Sequence, residues 1–147
     1  MSKWGIEEQE TLDAIKKMNM QGTILNLAAG DGRFNNYLLE YADKVVAVDK
    51  SASELEILKS NCPELLNNKL ETEVIDITKK IPFADSTFDG IFCTGFLHLF
   101  KREIIASIIT EMKRLLKDGG NIILDFATDI RRLDKDNNPV LFSEEGN

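Results

Sequence analysis

Apolar residues recur along the chain at two spacings, and the spacings alternate. From Ile6 to Met18 the points Ile6, Ala14, Ile15 and Met18 predict an amphipathic helix, closed by Gln21-Gly22. Thr23 to Ala28 is a short apolar run and predicts a buried strand, followed by a turn at Ala29-Gly30-Asp31-Gly32. Phe34, Tyr37, Leu38 and Tyr41 then fall at i, i+3, i+4 and i+7, one face of a second helix. Lys44 to Val48 is β-branched and apolar on both sides, a second strand. Ser51 or Ser53 caps a third helix through Leu55 and Leu58 to about Asn61, and Pro63 stops it.

Leu70 to Ile75 alternates more than the other strands, which suits a place near a sheet edge. Lys79 to Thr87 reads as a loop and Phe88 to Cys93 as a fourth strand. Ile104, Ile105, Ile108, Ile109, Met112, Leu115 and Leu116 repeat at helical spacing. Asp118-Gly119-Gly120 ends that helix in a left-handed turn, and Asn121 to Phe126 is a fifth strand. Strands alternating with helical segments imply a mostly parallel sheet, and strands apolar on both faces need helices on both sides. The expected fold is a three-layer, doubly wound α/β domain over residues 1–147, with an N-terminal helix within 1–22 and a tail at 128–147. In the tail, Asp134 to Pro139 is a polar turn and Val140 to Phe142 a short strand. Strand five is too apolar for an exposed edge, so the tail, a second copy (a homodimer) or a missing C-terminal segment is expected to cover it.

Composition narrows the function. Eighteen Lys+Arg against 25 Asp+Glu leave a net charge of −7, which makes nucleic acid an unlikely partner. The dense basic spots, Lys113-Arg114 to Lys117 and Arg131-Arg132, read as solvated faces. No apolar run is long enough to cross a bilayer, and the polar start carries no signal-peptide pattern. Cys62 and Cys93 form neither a CxxC pair nor a disulfide framework, and with one histidine no metal cluster is expected. Free thiols without a secretion signal fit the cytoplasm.

The chemistry gathers where strands end. Gly30 and Gly32 remove side chains where a ligand approaches backbone, and N–H groups opening the next helix suit an anion. Asp49 follows strand two, 17 residues after Gly32, placed to accept from both hydroxyls of a ribose. Asp76 and Ile77 end strand three, where the carboxylate suits an adenine amine and the isoleucine a flat ring.

These blocks resemble the class I S-adenosylmethionine-dependent methyltransferases, from about Thr23 to Asp125, and in particular their small-molecule branch. Leu25 to Gly32 resembles the first motif of that family, Val45 to Lys50 its second strand and ribose-binding acid, and Val74 to Ile77 its adenine segment. Ile81 to Cys93 resembles the lead into strand four, Phe96-Leu97-His98-Leu99 the segment after it, and Met112 to Gly120 the approach to strand five, with Asp118 where proline is common. The resemblance implies S-adenosylmethionine as methyl donor, S-adenosylhomocysteine as product, and a Rossmann-like methyltransferase fold. It implies a cofactor site of Asn26, Ala28, Gly30, Gly32, Asp49, Lys50, Asp76, Ile77, Cys93 and Thr94.

Three departures stand out. Asn26 replaces the usual acid and adds no charge opposite the cofactor's ammonium; Ala28 replaces a glycine; and the sheet ends at five strands where the family has seven, a truncated C-terminus. The acceptor is expected to be a small molecule or a protein. His98 is the candidate base, as the one side chain that titrates near neutrality unaided, or else a packing residue. Thr94 and Gly95 are expected to line the passage to the acceptor, Phe96 to fill the core, and Trp4 to belong to a lid or to have no role. Two rivals stay open: a nicotinamide-dependent oxidoreductase, whose fingerprint lacks its later glycine in Gly30 to Asn35, and a non-catalytic subunit that binds cofactor or partner.

Overall fold

Strand Thr23–Leu27 (β1) is the central ladder of the sheet because its side chains are apolar on both faces. It pairs in parallel with Lys44–Asp49 (β2) on one side and Phe88–Cys93 (β4) on the other. Leu70–Val74 (β3) continues beyond β2, and Leu116–Leu124 (β5) beyond β4. The order is β3-β2-β1-β4-β5, with every pairing parallel. The structure is a computed structural model and describes residues 6–125. Trp4, Phe126, Arg131-Arg132 and the 128–147 tail lie outside the described residues.

Alternate strand residues face opposite ways, and each set finds its own helices. Leu25, Val46, Ile91 and Cys93 pack with Ile108, Met112 and Leu115 of helix Arg102–Leu115 (α4). On the other face Ile24, Val45, Phe92 and Ile123 meet Ile15 of helix Ile6–Lys17 (α1) and Leu38 and Leu39 of helix Asn35–Tyr41 (α2). Ala47 meets Leu55 and Leu58 of helix Ala52–Asn61 (α3) on this same face. The result is the three-layer, doubly wound arrangement that the sequence implies. β3 stands at the sheet edge, with Glu71, Glu73 and Val74 exposed.

The cap of α3 resolves in favour of Ser51, whose Oγ accepts the Glu54 N–H at 3.3 Å. Two short 3-10 turns, Glu64–Lys69 and Leu97–Leu99, stand where no element is expected.

The end of α4 corrects the sequence reading. The helix stops at Leu115, and Leu116 already pairs with Phe88 as the first residue of β5. Gly119, at φ +78°, serves an irregularity inside the strand and not a helix terminus. The register runs from Phe88↔Leu116 to Gly90↔Asn121, so one step of two in β4 opposes five in β5. Gly120 lies at that bulge because a Cβ there would stand 2.7 Å from the Asp89 carbonyl oxygen.

A second correction concerns Arg114. Its guanidinium is no solvated face: it is 22% exposed and bonds to Glu111, Asp85 and two backbone carbonyls.

Candidate active site

The sheet order reverses at β1, since the chain builds β2 and β3 on one side and then β4 and β5 on the other. At such a reversal the connections leave in opposite directions and open a crevice at the strands' carboxyl ends. A cleft of about 430 Å³ lies there. Of the residues expected to bind cofactor, it brings together Ala28, Asp49, Lys50, Asp76 and Ile77, and adds Ile75, Thr78, Phe96, Phe100 and Ile104. Asn26, Gly30, Gly32, Cys93 and Thr94 are not in its lining.

The turn after β1 is tied down by β2. The Ala29 N–H donates to the Val48 carbonyl at 2.9 Å, and the Gly30 N–H to Asp49 Oδ2 at 2.9 Å. Asp49 Oδ1 accepts from the Ser51 N–H, also at 2.9 Å. The Gly30 N–H is therefore already satisfied within the turn. So is that of Gly32, which donates to the Ala29 carbonyl at 3.0 Å. What Gly30 offers is space: at φ +55° a Cβ there meets no atom within 4 Å. Gly32 is different, because a Cβ would stand 2.6 Å from Leu58 Cγ. Gly30 is an open position and Gly32 a packing requirement.

Ala28 also has a left-handed backbone, φ +53°, which explains why the resemblance puts glycine there. Asn26 is buried beneath the turn, and its Nδ2 donates to Asn35 Oδ1 at 3.2 Å. Asn35 Nδ2 is buried without a hydrogen-bond partner.

Asp76 closes a tight turn onto Thr78. Its Oδ1 accepts from Thr78 Oγ1 at 2.6 Å and from the Thr78 N–H at 3.0 Å. The hydroxyl bond, with the N–H bond and nearby lysines, holds the Asp76 carboxyl below its ordinary range. Ile77 is buried beside this exposed carboxylate. Across the cleft, Phe96 packs on Phe100 with ring centroids 4.7 Å apart. Phe96 thus fills the core margin and faces the cleft at once. Phe100 stands in extended backbone just before α4, so helical spacing does not link it to Ile104 and no sequence signal marks the pair.

Cys93 is fully buried, and burial followed by the charge of Asp125 pushes its thiol up to about 12. It is an inert packing group and not a nucleophile. Beyond it, the Gly95 N–H donates to Asp125 Oδ1 at 2.7 Å, joining the ends of β4 and β5. Gly95, at φ +67°, has open space where a side chain would stand. Thr94 is half-buried beside it. His98 is half-buried outside the cleft lining, and its Nδ1 is buried with no hydrogen-bond partner. Among the described residues no group of three or more His, Cys, Asp or Glu is placed to hold a metal ion. No described helix is long and apolar enough to cross a membrane.

The family model described as "Methyltransferase domain" matches residues 24–120, from the first strand through the bulge within the last. The chain belongs to this methyltransferase domain family. An uncharacterized methyltransferase of Synechocystis sp. is 31% identical over 97 residues, covering 66% of this chain and 43% of the relative. This methyltransferase domain therefore spans less than half the length of that relative. A crystal structure of a Pyrococcus horikoshii protein shares 30% identity at a TM-score of 0.71, covering 84% of this chain and 58% of the other. The structure of a DhpI–SAM–HEP complex, at 18% identity, shares the fold with a TM-score of 0.73 over 94% of this chain and 70% of the other.

Proposed function

We propose that this methyltransferase domain binds S-adenosylmethionine in the 430 Å³ cleft and serves methyl transfer to a small molecule. The observation that carries this reading is the pairing of Asp49 and Asp76 in one cleft that also exposes apolar side chains. A carboxylate offers about four lone-pair sites, and Asp49 uses two on Gly30 and Ser51. The other two suit the vicinal hydroxyls of a ribose. Asp76 keeps Oδ2 outside its turn with Thr78, available to an adenine amine. Ile77 and Phe96 supply apolar contact for the ring and exclude water from it. The open space above Gly30 accommodates the cofactor's amino-acid arm.

Bound there, the cofactor supplies an electrophilic methyl on a sulfonium, so the protein's task is alignment and exclusion of water. His98 lies outside the cleft lining with Nδ1 buried, which favours a packing role over that of a base. The net charge of −7 favours a small acceptor over a phosphate backbone. The outer edge of β5 has no strand partner among the described residues, and a second copy or a further segment is our reading of its cover. Sedimentation of the full chain tests the first of these.

Calorimetry with S-adenosylhomocysteine and with NAD tests the cofactor. The reading expects saturable binding of the first, none of the second, and loss of binding in Asp49→Ala. NAD binding, or equal affinity in both proteins, overturns it.

A further inference from the structure

The connection from β3 to β4 contains no crossover helix, yet its first residues, Ile75 to Thr78, line the cleft. Backbone groups in such a connection need partners from elsewhere. Two side chains of α4 supply them. Glu111 Oε2 accepts the Ile81 N–H at 3.0 Å. Arg114 donates from Nη2 to the Ile81 carbonyl at 2.9 Å, and from Nη1 to the Phe83 carbonyl at 2.8 Å and Asp85 Oδ1 at 2.9 Å. The same guanidinium is gripped by Glu111 through Nε–Oε1 at 2.9 Å and Nη2–Oε2 at 2.8 Å. The connection answers in kind: the Ser86 and Thr87 N–H groups donate to the Arg114 and Leu115 carbonyls, each at 2.9 Å. At the centre lies Ile81, fully buried in one apolar cluster with Ile75 and Ile77.

We infer that Glu111 and Arg114 are positioning residues for the adenine side of the cleft, acting through Ile81 on Asp76 and Ile77. This rests on the cofactor reading above. Neither residue lines the cleft, so any effect on the ligand passes through the connection. Lysine cannot replace Arg114, because a point charge on a flexible stem cannot hold two carbonyls and two carboxylates at once.

The test uses the full chain, with Arg114→Lys and Glu111→Gln as independent variants. Amide exchange over residues 75–83 is expected to quicken about tenfold while β1 and β2 keep their protection. The dissociation constant for S-adenosylhomocysteine is expected to rise about tenfold, the scale of one lost charge-assisted bond. Combining Arg114→Lys with Asp76→Ala should cost less affinity than the two single changes together, since both act through one segment. Faster exchange spread evenly over the sheet overturns the inference in favour of a general stability role. So does unchanged affinity with a quickened connection, in which case the cofactor reading survives. A wild-type protein that fails to bind S-adenosylhomocysteine removes both.

Discussion

The Gly30 N–H donates to the Asp49 carboxylate at 2.9 Å, so the glycine turn after β1 and the acid after β2 form one unit before any ligand arrives. Asp49 therefore both holds the turn and faces the cleft. Asp49→Ala is expected to abolish most binding of S-adenosylhomocysteine and also to cost about 1–3 kcal/mol of stability, since two N–H groups lose their acceptor. Asp49→Asn keeps an acceptor for one of these N–H groups but turns an amide NH2 toward the other, so it should recover only part of the stability and little of the binding. Calorimetry and urea denaturation on both variants check this.

Gly30 and Gly32 should separate binding from folding. Gly32→Ala puts a methyl 2.6 Å from Leu58 Cγ and is expected to destabilise by about 1–3 kcal/mol. Gly30→Ala meets no atom within 4 Å, so its stability cost is the backbone strain of φ +55° alone, while the methyl enters the space assigned to the ligand. The expected ratio of lost affinity to lost stability is larger for Gly30→Ala, read by calorimetry beside denaturation.

Ala28→Gly should stabilise the protein. Alanine at φ +53° carries strain of about 1–2 kcal/mol, against about 0.4–1 kcal/mol of extra unfolded-state freedom for glycine. A gain of roughly 0.5–1 kcal/mol is expected from urea denaturation.

Acid should loosen the Glu111–Arg114 pair. Arg114 and the Ile81 N–H lower the Glu111 carboxyl from 4.5 to about 2. A depressed folded-state value means that the contribution is fully present above about pH 4.5 and is lost as pH falls through about 2. Between those limits, wild-type stability is expected to fall more steeply than that of Glu111→Gln. Denaturation curves at stepped pH measure the difference.

The layers were legible because their signals are local. The apolar runs of β1, β2 and β4 and the helical repeat of α4 are set by burial on each face. The two carboxylates of the cleft were also legible, since each sits where a strand ends. The end of α4 was not. Asp118-Gly119-Gly120 has the chemistry of a helix stop, and only pairing with β4 turns it into a bulge. Arg114 was misread for a related reason: charge predicts solvent unless the partners are known, and all of its partners but Glu111 lie about thirty positions upstream. The satisfied N–H of Gly30 likewise depends on Asp49, a neighbour only once the sheet has formed.

The two thiols amount to a built-in clock. Cys62 is half-buried at the end of α3, whereas Cys93 is sealed in the middle layer. An alkylating reagent should mark Cys62 on the folded protein and reach Cys93 only in molecules whose sheet has parted. The lag between the two labels would count those rare openings without any added probe.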